Sequence, residues 1–184
     1  MFTSCEIIKS KYLENGIAKV PYNNKVFKRK NRNLSSEIDA NFLYKKVNYY
    51  MADKNYKKLR DIGKDVERSI QFYKNGRVRF FSFGYTDPNP EITGRRGIIY
   101  KKNGKIKIDT QFANQSGDIF KGTYSVKIEG DYLFLLDDDF LVPRDEYICF
   151  VYKKSDERIP EEWNKYKADW QLLVIFQVCC FYYK

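Results

Sequence analysis

Two Asn-Gly pairs constrain this chain more than any other feature. Asn75-Gly76 stands between ERSIQFYK (67–74) and RVRFFSFG (77–84). Asn103-Gly104 stands between RRGIIYKK (95–102) and KIKIDTQFA (105–113). Such a pair between two strand-like runs marks a β-hairpin, because a two-residue type I′ turn needs positive φ at both central residues. A third hairpin runs from DIFKGTYSVKI (118–128) through Glu129-Gly130-Asp131 into YLFLLDDD (132–139). FLYKKVNYY (42–50) and YICFVYKK (147–154) read as the first and last clear strands. About eight antiparallel strands with tight turns, and no strongly amphipathic helix, predict an all-β meander closed as a barrel or folded as a barrel-like sandwich.

Side-chain alternation gives the register. Ile106 and Ile108 share one face of their strand, and Lys105, Lys107 and Asp109 share the other. A two-residue loop at Asn103-Gly104 puts Ile99 opposite Ile108, a core pair. In RVRFFSFG, Phe80 faces one way and Phe81 and Phe83 the other. That strand is either covered on both sides or presents a ring to a cavity. Phe72, Phe80, Phe81, Phe83 and Tyr100 are the candidate ligand- or partner-facing aromatics. Between the first two hairpins, YTDPNPEITG holds two prolines that cannot donate ladder hydrogen bonds, so it reads as a loop.

The 184 residues suit one domain plus tails. Residues 1–40 read as a basic, poorly ordered tether containing KVFKRKNRN (25–33), with LSSEID (34–39) as a turn, or as one short helical turn capped by Ser35 or Ser36. Residues 41–170 read as the β domain. Residues 171–184 read as an apolar tail, either a last strand or an extension, and its run is shorter than the ~20 residues of a membrane-spanning helix. Aromatic residues make up 17% of the chain, and rings suit a pleated, half-buried surface.

The net charge of +10 raises nucleic acid as an alternative partner. A genome rich in A and T would give the same Lys, Asn, Ile, Tyr and Phe excess, and scattered lysines also suit solvated strand faces. There is no His, which removes the commonest general base. Cys5, Cys149, Cys179 and Cys180 lack metal-binding spacing, and Cys149 within YICFVY reads as a small buried hydrophobe. Asp137-Asp138-Asp139 lacks the EF-hand pattern, and Glu161-Glu162 has no partner at glycosidase spacing. No P-loop, G-x-S-x-G or G-x-G-x-x-G is present. The expectation is a non-catalytic protein without catalytic residues, metal or cofactor.

The order ERSIQFYKNGRVRFF, GRRGIIYKKNGKIKI, GDIFKGTYSVKIEGDYLFLL, YICFVYKK resembles small lipocalin-like (calycin-type) bacterial lipoproteins over roughly residues 42–170. Their G-x-W motif near the first strand is missing, since Trp163 and Trp170 both lie late. The resemblance implies a β-barrel that binds a small apolar ligand or a protein partner. Phe2-Thr3-Ser4-Cys5 resembles the end of a lipobox, which implies lipid attachment at Cys5 and anchoring to the cell-envelope membrane. On that reading Met1 lies inside a signal peptide whose charged and apolar regions are upstream. The chain as given would otherwise be cytoplasmic.

Overall fold

The computed structural model describes residues 10–14, 16, 19–21, 34–64, 66–113, 119–138 and 145–170. Its strands are β1 (Ser10–Tyr12), β2 (Lys19–Pro21), β3 (Phe42–Ala52), β4 (Lys58–Asp61), β5 (Arg68–Phe72), β6 (Arg77–Ser82), β7 (Arg95–Lys102), β8 (Lys105–Ala113), β9 (Ile119–Glu129), β10 (Tyr132–Asp137) and β11 (Tyr147–Arg158). One 3-10 turn follows at Glu161–Lys165. From β5 to β11 each strand pairs antiparallel with the next. β3 pairs with β5 on one edge and β11 on the other, which closes an eight-stranded barrel with β4 as an extra strand on β3.

The β7–β8 hairpin has the expected register, with Ile99 opposite Ile108 and positive φ at Asn103 (50°) and Gly104 (75°). The β5–β6 hairpin departs from expectation. Tyr73 pairs with Arg77 across three residues, and only Gly76 (76°) is left-handed, while Asn75 is not. Gly76 therefore supplies the bulge of a longer loop instead of half a type I′ turn.

Inside the barrel, Tyr44, Ile70, Phe72, Val78, Ile99, Ile108, Leu133, Leu135 and Tyr152 are all at most 2% exposed. Leu34 and Ile38 pack under this core, and the Asp39 backbone N–H donates to the Tyr44 hydroxyl at 3.0 Å. The 34–41 segment thus covers the end of the barrel where β3 begins. Gly97 faces inward on the parity of Ile99. A Cβ there would lie 2.9 Å from the Asp109 carbonyl oxygen and 3.4 Å from the Phe80 ring. Gly97→Ala is therefore expected to destabilise by about 1–3 kcal/mol, read from urea unfolding, because backbone and ring must both shift.

Two layers cover the outside of the barrel. Over β10 and β11, Tyr50, Ala52, Leu136, Cys149 and Val151 form a second cluster beneath Tyr56 of the β3–β4 turn. Cys149 is fully buried, and burial pushes its thiol up to about 11. It is expected to resist iodoacetamide at pH 8 in the native protein and to react on unfolding, read by peptide mass spectrometry.

Beside β8, the β1–β2 ribbon brings Leu13 (3% exposed) and Val20 (1%) against the sheet. These residues fall within the stretch expected to be a poorly ordered tether. What the sequence pattern missed is that Val20 of β2 and Leu13, just past β1, are each buried in so short a ribbon. The basic run 25–33 and the tail 171–184 lie outside the described residues. At the chain's later end, Trp170 is 5% exposed and its indole N–H donates to the Gly97 carbonyl at 3.0 Å.

Candidate functional site

The five aromatics singled out from the sequence take three different positions. Phe72 and Phe80 point inward, at 1% and 7% exposure. Phe81 points outward and is 1% exposed, with the Arg79 guanidinium 4.6 Å from its ring centroid. Tyr100 also points outward, and its hydroxyl donates to Asp109 Oδ1 at 2.9 Å. Phe83 lies just past β6 and is 79% exposed. β6 is therefore covered on both faces, and only Phe72 and Phe80 meet in one place. Cys5 lies outside the described residues.

The inward face changes chemistry towards the end where β5 begins. Arg68 shares the parity of Ile70 and Phe72 on β5. Arg95 shares the parity of Gly97 and Ile99 on β7. On β3, a bulge at Val47 separates inward Lys46, opposite Tyr152, from inward Tyr49, opposite Phe150.

The Arg68 guanidinium lies 5.2 Å from the Phe150 ring centroid, and Arg95 lies 5.1 Å from that of Phe80. Arg95 donates to the Tyr124 hydroxyl at 3.0 Å, and Lys46 donates to the Val66 carbonyl. Tyr124 tilts against Phe80 and meets Phe150 edge-on. Asp137, on the parity of Leu133 and Leu135, is the acidic residue of this face. Among the described residues, Lys46, Arg68 and Arg95 thus share this part of the inward face with Asp137.

Ordinary solvation would keep guanidiniums outside a barrel, since burying charge is costly. Here they are held over ring faces, a favourable cation–π arrangement. Phe80, Tyr124 and Phe150 retain 7%, 8% and 9% exposure, against 0% or 1% for the layer of Ile70, Phe72, Val78 and Ile108. The inner layer is filled by side chains, and the ring edges beside the cations are less tightly covered. The Tyr124 oxygen accepts from Arg95, and its own O–H finds no acceptor among the described residues. Two forked donor groups, an ammonium and a phenol therefore converge beside aromatic surface. That chemistry suits an anionic group on an apolar body.

Sequence reasoning missed these cations, although the parity of Arg68 with Ile70 and of Arg95 with Ile99 was readable. Elsewhere, the buried guanidinium of Arg79 has a different task. It donates to the carbonyls of Thr93 (3.0 and 2.9 Å), Pro88 (3.0 Å) and Asn89 (2.8 Å), clasping the 85–94 loop onto the outside of β6. Among the described residues no group of three His, Cys, Asp or Glu could hold a metal ion, and no helix is long and apolar enough to cross a membrane.

Comparison with protein-family models returns no match, and comparisons with curated proteins and with solved structures likewise return none.

Proposed function

We propose that this chain is a non-catalytic binding protein whose barrel takes one small ligand with an apolar body and an anionic head. The observation that carries the reading is the pair of inward guanidiniums, Arg68 and Arg95, held over Phe150 and Phe80 beside the Tyr124 hydroxyl. An eight-stranded barrel is wide enough to be filled by side chains or to hold one small ligand. The head of the ligand lies against the two arginines and Tyr124, and its body lies on the rings.

Two dyes that differ chiefly in charge test this. Anilinonaphthalene sulfonate carries a sulfonate, and N-phenyl-1-naphthylamine is the neutral counterpart. The expected result is saturable one-to-one binding of the sulfonate and at least tenfold weaker binding of the neutral dye, as for a lost charge-assisted contact. Arg68→Met or Arg95→Met should weaken the sulfonate about tenfold and leave the neutral dye unchanged. Equal binding of both dyes, or stoichiometric binding of neither, would overturn the reading.

Anchoring to the envelope membrane through lipid on Cys5 is part of the same proposal, and its support is the Phe2-Thr3-Ser4-Cys5 sequence alone. Mass spectrometry of natively expressed protein should find a diacylglyceryl group on Cys5. An unmodified Cys5 behind an intact N-terminus would remove the anchor.

A second reading, nucleic acid as the partner, has one specific observation in its favour. A groove of about 670 Å³ over the outside of β8–β10 is lined by Lys54, Lys101, Lys105, Lys107 and Lys127 against Glu37 and Asp138. Lys107 is paired with Asp138. Single-stranded oligonucleotide binding that falls steeply with salt, and that is weakened by Lys101→Gln with Lys105→Gln, would favour it.

A further inference from the structure

The turn after β6 is built on an unsuitable residue. Tyr85 N–H donates back to the Ser82 carbonyl at 3.3 Å, and the two central residues, Phe83 and Gly84, have φ of 61° and 66°. Two successive left-handed residues make a type I′ turn, for which Asn-Gly is the favoured pair. Phe is bulky and strained at positive φ. The fold gains no packing in return, because the Phe83 ring is the most exposed large apolar side chain among the described residues at 79%, with Tyr85 beside it at 51%. A strained backbone carrying an exposed ring points to a contact outside the chain.

Next to this ring lies a groove of about 300 Å³. Gly84 forms part of its wall, and Leu43, Ile159, Pro160 and Trp163 give it apolar surface. An apolar cavity of about 150 Å³ holds one benzene, so the groove has room for a phenyl ring. Its charged residues balance, with Lys45 and Arg158 against Glu67 and Glu157. In a chain of net charge +10, a neutral patch with both signs is matched poorly to a polyanion and well to a copy of itself.

We propose that Phe83 of one chain inserts into this groove of a second copy, and that the second copy does the same in return. A knob and a hole side by side on one surface are self-complementary, and a two-fold axis between them makes both contacts at once. This site is separate from the barrel interior and stands or falls independently of ligand binding.

Sedimentation equilibrium of the full chain tests it. The wild type is expected to form dimers at micromolar concentration. Phe83→Asn should weaken the dimer about thirtyfold or more, as for loss of a central aromatic anchor. The same variant should melt at the same temperature or about 2–4 °C higher, since Asn suits the turn. Trp163→Ala should weaken the dimer from the groove side. A mixture of the two variants should associate more tightly than either alone, because one intact knob then meets one intact hole.

A wild type that stays monomeric to millimolar concentration would overturn the proposal. So would a dimer indifferent to both substitutions, or a mixture no tighter than its components. Co-sedimentation of monomeric chain with phosphatidylcholine vesicles, lost in Phe83→Asn, would assign the ring to a lipid surface instead.

Discussion

Arg79→Lys is expected to destabilise the protein by about 3–5 kcal/mol and to lower its melting temperature by on the order of 10 °C. Arg79 is fully buried and lies among neutral acceptors. Burial lowers its pKa from the ordinary guanidinium value, so the cost of desolvation is already present in the native state. Three backbone carbonyls, those of Pro88, Asn89 and Thr93, offset it. The planar fork reaches all three at once, and a lysine ammonium cannot, so the substitution strands loop carbonyls without removing the buried charge. The 85–94 loop should then open. Limited proteolysis should cut within it in the variant and spare it in the wild type. A variant as stable as wild type and equally protected would show that the clasp contributes little.

Raising the pH should unfold the protein through the outer cluster. Burial raises the pKa of Cys149 from its ordinary value near 9 to about 11 and that of Tyr50 to about 12, and it raises Tyr56 as well. In each case the folded state holds its proton more tightly than the unfolded chain. Stability is therefore intact below pH 9 and is lost as the pH rises from about 9 to about 12. For the fully buried Cys149, the gap between 9 and about 11 corresponds to about 2–3 kcal/mol. Chemical denaturation at stepped pH should show a flat profile to pH 9 and a steep fall above it. Cys149→Ala should move the start of the fall upward. An alkaline limb unchanged by that substitution would place the cause elsewhere.

The parts of the fold that were legible depend on local chemistry. Asn103-Gly104 sets its own turn, and the alternation in KIKIDTQ sets the faces, so the Ile99–Ile108 pair followed without long-range knowledge. At Asn75-Gly76 the same dipeptide sits in a longer loop, because Tyr73 pairs with Arg77 and the ladder ends earlier. The β1–β2 ribbon was not legible. Its strands are three residues each, and Leu13 and Val20 are apolar only in relation to a surface far away in sequence. Arginines were the other blind spot. The sequence reading assigned no position to the arginines of RVRFFS and RRGIIY, yet Arg79 is buried under a loop and Arg95 lies inside the barrel. Parity alone distinguished the inward from the outward cations. What it could not tell was that loop carbonyls wait over one face of β6 and aromatic rings wait inside.

Barrel closure also sets a schedule for synthesis. β3 hydrogen-bonds to β11, whose first residue, Tyr147, follows the start of β3 by more than a hundred positions. A ribosome adding roughly 5–20 residues per second leaves that seam open for roughly 5–20 seconds. Through that interval the edge of β3 that β11 will occupy has no partner, and from the completion of β10 a second edge waits with it. Lysines discourage edge-to-edge pairing, and β3 carries two of them, Lys45 and Lys46, along the strand that waits longest.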